Sequence, residues 1–568
     1  MNSLMRLRDG IGTRLRALSP AVRRAAHENA RLRADGLAAL AAFATTNAKP
    51  AARSVLVDGQ WDNANYWIRL AIVTRALDID AAKATGLLGR WRRESVEAAF
   101  AAFGIGRRVD HGAHFSRREK HLPTARALLA TVRTPDDMLA LELPKGLPSA
   151  LVYDGILKRQ RSACVDLADG QLPLLLAEAL ASIEAAESIF DDNAFDLLIL
   201  SHSLDFTYGA IAWAALRRGI PTLVVYGDFG VPRFIRMDGP GDLFSSPLRP
   251  MRADDDALTP EQSTRLEAAG EAYLAARLGG RADDVGSIYA YRKRSGCIAR
   301  DTLCARFDWD PTKPIVGVYA PNWFDYPHSS DRMPYRDFLE WAEQTIAIAR
   351  RTSAVNWLFK SHPCDEWYGK IRGARLADLL ASEATPNCAL ADLTWNGADL
   401  FGAIDALTTF HGTAGIEAAS LGKPVLVPYS GWYGDSGFAR VAESRDDYIR
   451  LLATPWWTAH EAEAARRRAN RFAGWYFCVP AWHGDYSFYD DANQDAIWWD
   501  LRGFLVDNAA QITAEIALIR DWMASDGRYL HIHKLRRAED YRAPRAREVV
   551  AGDPRQRQLR GAAGGRSA

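Results

Sequence analysis

The residues best suited to chemistry lie in one strand-turn-helix unit near residue 410. A short apolar, β-branched run, Ala406–Phe410, predicts a buried strand, and His411, Gly412 and Thr413 form the turn after it. Thr413 is expected to cap the following helix, whose unpaired N–H groups lie at the positive end of its dipole and suit a phosphate. Glu417 comes one helical turn later, so its carboxylate could accept the hydroxyl groups of an attached sugar. An ordinary βα turn with a solvated Glu417 is the alternative.

Other polar residues of this half also follow predicted strands. The strand Asn356–Lys360 is ended by a proline, which leaves His362 projecting at its carboxyl end with Lys360 two residues earlier. An imidazole there can donate to a phosphate oxygen or protonate a leaving group, although an ordinary loop histidine is an equal alternative. A long aromatic loop after the strand at 314–320 carries Asn322, and the Gly/Tyr/Asp loop after another strand carries Asp435 and suits a sugar.

Polar side chains follow predicted strands in the first half as well. Asp58 follows a strand ending at residue 57, His202 and Asp205 follow a strand at 195–200, and Asp228 follows a strand at 222–226. Each of them could be a loop-capping residue. Because parallel strands bring their carboxyl ends to one edge, we expect these side chains to line a polar cleft, with Asp58, His202 and Asp205 as catalytic candidates.

Strands alternating with helices predict an α/β fold with two Rossmann-like domains facing a cleft. The sequence predicts that the chain is divided into six segments. They are a helical basic arm at 1–50, an acceptor domain at 51–255, bridging helices at 256–310, a donor domain at 311–480, helices that pack back on the first domain at 481–533, and a disordered basic tail at 534–568. Within the first domain, residues 80–108 are interpreted as helices with a glycine turn, and Leu151–Asp154 as a strand.

Composition narrows the class of protein. The chain has 568 residues, of which 48% are hydrophobic and 25% are charged, as in a soluble globular protein. Its net charge is +1, so the molecule as a whole has no positive field that would attract nucleic acid. Six scattered cysteines without a C-x-x-C pair favour a reducing cytoplasm over disulfides or a zinc site. There is no secretory signal pattern or membrane span. Residues 1–35 carry eight arginines against three acids, so this arm could touch an anionic inner membrane, or simply pack on the first domain.

These motifs together resemble a known family. The residues Lys360-Ser-His-Pro363, Thr409-Phe-His-Gly-Thr-Ala-Gly-Ile-Glu417 and the strand followed by Ala-Pro-Asn322 are similar to those of bacterial capsule polysaccharide biosynthesis proteins. That group includes the Kdo transferases of capsule and lipopolysaccharide assembly. A more distant resemblance is to the glycerol-phosphate polymerases of teichoic acid synthesis.

The resemblance implies a GT-B glycosyltransferase with the nucleotide, CMP by preference, held by the second domain. His362 and the turn at His411 would hold the donor phosphate, Glu417 the ribose, and the loop Asn322–Asp325 would lie across the donor. We then expect Glu417→Ala to raise the donor KM, His362→Ala to lower kcat, and Thr413→Ala to do least.

Charge considerations indicate how such an enzyme would work. A helix N-terminus and an imidazole can offset the charge of a departing nucleotide without a metal, and no Asp-x-Asp follows a strand of the second domain. No cofactor is therefore expected beyond the nucleotide-sugar donor, and a glycan or glycolipid is the expected acceptor. Inversion and retention both stay open. The alternatives are a nucleotide-sugar 2-epimerase, a polyol-phosphate transferase, or a non-catalytic capsule assembly or export protein.

Overall fold

The computed structural model describes residues 20–44, 53–226, 233–244, 258–282, 287–292, 294, 296, 298–329, 333–363, 371–373, 375–478, 498, 500–525 and 527–531. The predictions made for the first part of the basic arm, for Asp228 and for the basic tail lie outside these residues.

Strands occur in two groups along the chain. The first group is β1 (Val55–Gly59), β2 (Ala84–Leu88), β3 (Arg107–Asp110), β4 (Leu197–Leu200), β5 (Thr222–Tyr226) and β6 (Arg233–Met237). The second is β7 (Ile315–Tyr319), β8 (Asn356–Lys360), β9 (Cys388–Leu390), β10 (Ala406–Thr409), β11 (Val425–Val427) and β12 (Arg440–Val441), and the last strand is β13 (Tyr529–His531).

Each group forms its own sheet. The first sheet has seven strands in the order β13-β6-β5-β4-β1-β2-β3, in which β1 to β5 are parallel and β6 and β13 are antiparallel additions. The second sheet has six parallel strands in the order β12-β11-β10-β7-β8-β9. In both sheets the strand order reverses beside the first strand, between β1 and β4 and between β7 and β10. Ligands of open α/β sheets bind at such reversal points, at the carboxyl ends of the strands.

Helices connect the strands and cover the sheets. In the first half they are α1 (Pro20–Ala44), α2 (Ala64–Ala76), α3 (Arg93–Ala102), α4 (His114–Arg117), α5 (Leu122–Leu129), α6 (Pro135–Leu139), α7 (Ser149–Gln160), α8 (Leu172–Asp192) and α9 (Asp205–Arg217). In the second half they are α10 (Pro260–Leu278), α11 (Arg300–Phe307), α12 (Phe338–Arg351), α13 (Leu376–Ala381), α14 (Gly397–Ala403), α15 (Ala414–Ser420), α16 (Arg445–Leu452), α17 (Ala462–Tyr476), α18 (Leu501–Asp507) and α19 (Ala509–Ala524).

Alternation along the strands builds three hydrophobic layers. Residues such as Leu198 of β4 and Val316 of β7 belong to one cluster shared by the two domains, whereas their neighbours Ile199 and Ile315 belong to separate outer clusters. Successive side chains of a strand point to opposite faces, so both faces of each parallel sheet are buried. This arrangement confirms the predicted α/β fold with two Rossmann-like domains.

Two interpretations of the first domain were wrong. Leu151–Asp154 is not a strand but part of α7, which is buried on most sides, and a short apolar run cannot distinguish a strand from a buried helix. Residues 80–108 contain β2 and β3 as well as α3, because the small residues of Ala84–Leu88 hide a strand pattern.

Segments from both ends of the described chain pack on the first domain. The helix α1 buries Leu37 and Leu40, and Gly36 lies so close to Leu501 of α18 that a Cβ would contact it at 2.8 Å. The strand β13 pairs antiparallel with β6 at the edge of the first sheet. The helix α1 therefore lies against protein along its second half.

Candidate active site at the facing sheet edges

The second sheet brings three strand exits together. The strand β7 lies between β10 and β8, so the loop carrying Asn322 and Asp325 is flanked by His411 on one side and His362 on the other. His202, at the exit of β4 in the first domain, approaches the same loop, with its ring 6.0 Å from that of Tyr326. The carboxyl edges of the two sheets therefore face each other.

Electrostatics show that these three histidines share one neighbour. Burial lowers the pKa of His202, His362 and His411 to about 4 each, and the Asp325 carboxylate acts on every one of them in the opposite direction. The three rings are consequently neutral at pH 7 and can present N–H donors. Asp325 itself is 54% exposed and is paired with Lys158 of α7 at 3.2 Å.

The lowered pKa values predict a dependence of stability on pH. His362 binds its proton at about pH 4 when folded but near 6.5 when unfolded, so the unfolded state holds more protons between these values. Stability from this residue is complete above pH 6.5 and is lost as the pH falls toward 4. Relative to His362→Asn, the wild type should lose about 2 kcal/mol of unfolding free energy between pH 7 and 5 in urea denaturation. An equal pH dependence of the two proteins would contradict the buried, neutral ring.

The turn after β10 is held by aromatic side chains. The Nδ1 atom of His411 lies 2.7 Å from the Tyr429 hydroxyl, and Trp432 donates its indole N–H to the His411 carbonyl at 2.7 Å. Tyr433 donates to the carbonyl of Gly412 at 3.0 Å. These contacts fix the backbone of the turn and the orientation of its imidazole.

The predicted cap by Thr413 is wrong. Thr413 occupies the N-cap position of α15, but it has helical dihedral angles and its side chain makes no capping hydrogen bond. The helix has only seven residues, and its Gly415 lies where a Cβ would clash with the Tyr433 hydroxyl. The tight packing of Tyr433 therefore sets the turn in place of a threonine cap.

Glu417 faces the protein interior. It is 3% exposed, and its Oε1 atom accepts from Nε of Arg277 on α10 at 2.5 Å while Tyr291 donates to Oε2. Both oxygens already have partners, so a ribose would have to compete with a buried ion pair. Ribose binding by Glu417 stays a prediction, and the contacts favour a structural role.

Asp58 lies inside β1 rather than in the loop after it, and it is 0% exposed. Its Oδ2 atom accepts from both the backbone N–H (3.0 Å) and the hydroxyl of Ser201, and its Oδ1 atom accepts from the N–H of Gln60 at 2.8 Å. Burial raises its pKa, opposed by these hydrogen bonds. The side chain ties β1 to the exit of β4 and does not face the cleft.

Asp205 begins α9 with a left-handed φ of 68°, a conformation that costs a non-glycine residue free energy. Its Oδ2 atom accepts from Arg159 at 2.8 Å and its Oδ1 atom from the N–H of Thr207 at 3.0 Å. Arg159 also reaches Glu178 at 3.5 Å. These contacts occupy both oxygens of the carboxylate.

His202 is fixed in one tautomer. The N–H of Leu204 donates to Nδ1 at 3.0 Å, so the neutral ring carries its proton on Nε2. A ring with this tautomer and a pKa near 4 is a hydrogen-bond donor and a poor general base at pH 7.

The loop after β7 contributes a polar atom and a buried pair of aromatics. Asn322 is 6% exposed, and its Oδ1 atom is shielded from solvent without a partner among the described residues. Trp323 and Phe324 are 0% and 1% exposed in the shared core, so the expectation that the whole loop lies across a donor is wrong for these two side chains. Lys360 ends β8 with its Nζ atom 5.3 Å from the ring of Tyr319. Asp435 is exposed in a short 3₁₀ turn.

The sequence pointed to Asp325 only as the end of the loop Asn322–Asp325, and not to its contacts across the cleft. The helix α7 meets the loop after β7 through three pairs: Lys158 with Asp325, Asp154 with His328 at 2.7 Å, and Tyr153 with Asp337 at 2.6 Å. Because α7 was mistaken for a strand, these pairs could not be anticipated. The position of Asp325, just after the first strand of its domain, was the one available signal.

Among the residues that the structure describes, no helix has both the length and the apolar character needed to cross a bilayer. The same part of the chain holds no group of three His, Cys, Asp or Glu residues arranged for a metal ion.

Two parallel α/β sheets with facing carboxyl edges define a pair of Rossmann-like domains of the GT-B type. No protein-family profile matches the sequence, and no curated protein matches it. Similar solved structures include KpsC of Thermosulfurimonas dismutans, a beta Kdo 2,4 transferase (17% identity, 46% of this chain and 78% of that chain, TM-score 0.30). Two others are UDP-GlcNAc 2-epimerase from Neisseria meningitidis bound to UDP-GlcNAc (13%, 82% and 99%, 0.23) and the glycosyltransferase SnogD from Streptomyces nogalater (14%, 74% and 94%, 0.22). At these identities and TM-scores, function has to be argued from the residues of this chain.

Proposed function

We propose that the protein is a GT-B glycosyltransferase that moves a sugar from a nucleotide-activated donor to a surface polysaccharide or glycolipid. The observation that carries the proposal is the convergence of His202, His362 and His411 on Asp325 where two Rossmann-like sheets face each other. A Kdo-like sugar and a CMP donor are the finer form of the proposal, on the strength of the sequence motifs.

The second domain supplies groups suited to the donor. His362 and His411, as neutral rings, donate N–H bonds to phosphate oxygens, and Lys360 adds a positive charge beside His362. The unpartnered Oδ1 atom of Asn322 accepts from a hydroxyl or an amino group of the nucleotide. This set offsets the negative charge that develops on the leaving phosphate.

Asp325 is the carboxylate placed to activate an acceptor. Of the three candidates that the sequence offers for this role, Asp58 and Asp205 have their oxygens engaged, and His202 carries its proton on the nitrogen that remains. Asp325 takes the proton of the acceptor hydroxyl while the oxygen of that hydroxyl forms a bond to the anomeric carbon of the donor sugar. The bond from that carbon to the phosphate oxygen breaks, and the electron pair leaves with the nucleotide.

Nucleotide binding tests the donor site. We expect one of CMP, UDP and GDP to bind in isothermal titration calorimetry, and to take up protons because its phosphate raises the pKa of His362 and His411 from about 4. Titrations in buffers with different ionisation enthalpies measure the number of protons taken up. His362→Asn should reduce this number, because the contribution of the nucleotide's own titration is the same in both proteins. If none of the nucleotides binds, the proposal is wrong.

Turnover separates the transferase from the epimerase. Nucleotide release from a bound sugar donor should require added glycan or glycolipid, whereas an epimerase would change the sugar without an acceptor. Contact of the basic N-terminal arm with an anionic inner membrane, where such acceptors lie, belongs to the same proposal. Removing residues 1–19 should then weaken binding to anionic vesicles.

A further inference from the structure

A cavity lies on the first domain, apart from the three histidines and Asp325. It has a volume of about 360 Å³ and is lined by Gln60, Trp61, Asp62, Trp91, Arg92 and Tyr208. Its residues follow β1 and β2 at their carboxyl ends, next to the reversal point between β1 and β4. This volume is sufficient for a small ligand.

Aromatic faces dominate the cavity. Trp91 is 66% exposed, an unusual state for the largest apolar side chain, and Trp61 and Tyr208 beside it are half-buried. Flat aromatic rings that are open to solvent on one face provide the apolar surface against which a sugar ring packs. The cavity therefore offers a stacking platform.

A cation without a counter-ion adjoins this platform. The guanidinium of Arg90 lies 4.4 Å from the Trp91 ring centre and 3.0 Å from that of Phe115, and it makes no hydrogen bond or ion pair with any described residue. The guanidinium of Arg118 lies 3.6 Å from the ring centre of Phe115, and its Nε atom is buried without a hydrogen-bond partner among the described residues. A partly buried guanidinium has five N–H groups to satisfy, and a carboxylate or a phosphate matches their geometry.

Charged groups around Arg90 favour an anion on balance. Burial lowers the pKa of Arg90, and Arg118 and Arg159 act in the same direction, with Glu178 opposing them. Arg159 and Glu178 are already paired with each other at 3.5 Å. The carboxylate of Asp62 in the cavity wall is engaged as well, by Trp67 at 2.8 Å and two further donors.

The cavity also contains an unpaired hydrogen-bonding group. The side-chain oxygen of Gln60 is shielded from solvent and has no hydrogen-bond partner in the described part of the chain. Its side-chain amide acts as a donor toward the Asp58 carboxylate, which opposes the rise that burial causes in the pKa of that acid. Buried polar groups are nearly always paired, so the oxygen indicates a ligand that supplies a donor, as a sugar hydroxyl does.

Tyr208 connects the cavity to the reacting centre. Its ring lies 5.3 Å from that of His202, which in turn lies 6.0 Å from Tyr326 of the second domain. A ligand in the cavity can therefore extend along these rings toward Asp325.

We propose that this cavity binds the acceptor, and that the acceptor is an anionic carbohydrate. One sugar ring stacks on Trp91 and Trp61, its hydroxyls pair with Gln60, and its carboxylate or phosphate pairs with Arg90. The role as acceptor rests on the proposed transferase function, but binding of an anionic sugar does not.

Ligand-observed NMR without any nucleotide tests the site on its own. Three methyl glucosides that differ only at C6, as a carboxylate, a phosphate ester or a hydroxymethyl group, are titrated into the full chain. We expect the carboxylate or the phosphate form to bind about 10-fold or more tightly than the neutral form, since a hydrogen bond to a charged group contributes that much. The stronger of the two identifies the anion.

Variants assign the binding to this cavity. Arg90→Gln should reduce the affinity for the anionic form to that for the neutral one, and Trp91→Ala should weaken all three sugars. The matched control is Arg107→Gln, because Arg107 begins β3 at the amino end of the strand, away from the cavity, and its side chain donates to Asn193 at 3.2 Å. Equal binding of charged and neutral sugars, no binding of any of them, or an Arg90→Gln variant that behaves like wild type would each overturn the proposal. Nucleotide binding is measured in the same preparations. A protein that binds a nucleotide but no anionic sugar would overturn this proposal and leave the donor site intact.

Discussion

Asp325→Asn is expected to lower kcat by about 10²- to 10⁴-fold, the range that general acid-base groups contribute. The amide keeps the size of the side chain but cannot take the proton of an acceptor hydroxyl. Affinity for the nucleotide should change by no more than a few fold, because the proposed donor site holds the phosphate through His362 and His411 instead. The measurement is steady-state turnover with saturating donor, together with calorimetry of nucleotide binding.

Two comparisons make the Asp325 result specific. The control is Asp301→Asn, an exposed aspartate at the start of α11, which should leave kcat unchanged. In the proposed site, His362→Ala would remove a donor to the leaving phosphate, so it should lower kcat by about 10²-fold. Normal turnover in both Asp325→Asn and His362→Ala would show that the reaction occurs elsewhere.

Glu417→Ala should destabilise the fold by about 3–5 kcal/mol, the cost of leaving one partner of a buried ion pair uncompensated. Arg277 and Glu417 each expose only 5% of their side chains, so the guanidinium would stay buried without its carboxylate. We expect this loss of unfolding free energy in urea denaturation, in addition to any change in donor KM.

The Arg277→Met and Glu417→Leu double variant is the test of the cause. Replacing a buried ion pair by apolar residues of similar size is often neutral or stabilising, so this double variant should recover most of the loss. A stable Glu417→Ala protein with a raised donor KM would instead support the ribose contact expected from the sequence.

Local patterns were sufficient for the four central strands of the second sheet, but not for its edge strands β9 and β12. The strand Asn356–Lys360 lies where the sequence predicts it, and the run Ala406–Phe410 contains the strand Ala406–Thr409, because buried parallel strands are short apolar runs between turn residues. Gly422 adopts the positive φ of 76° expected of a glycine after a helix. The same reasoning failed for α7, because a helix buried on most sides has no polar face to show its period.

The sequence by itself determined the α/β class, the two series of strands, and the strand exits that carry His202, His362 and His411. Only the tertiary structure decided what each side chain does there. Asp58 is buried and accepts hydrogen bonds from Ser201, and Glu417 faces the interior, where it pairs with Arg277, 140 residues earlier in the chain. Asp325 lies near His362 and His411 because the second sheet places β7 between β8 and β10, and near His202 because the exit of β4 in the first domain faces the same loop. Strand order and long-range ion pairs depend on contacts between distant residues, which local periodicity does not encode.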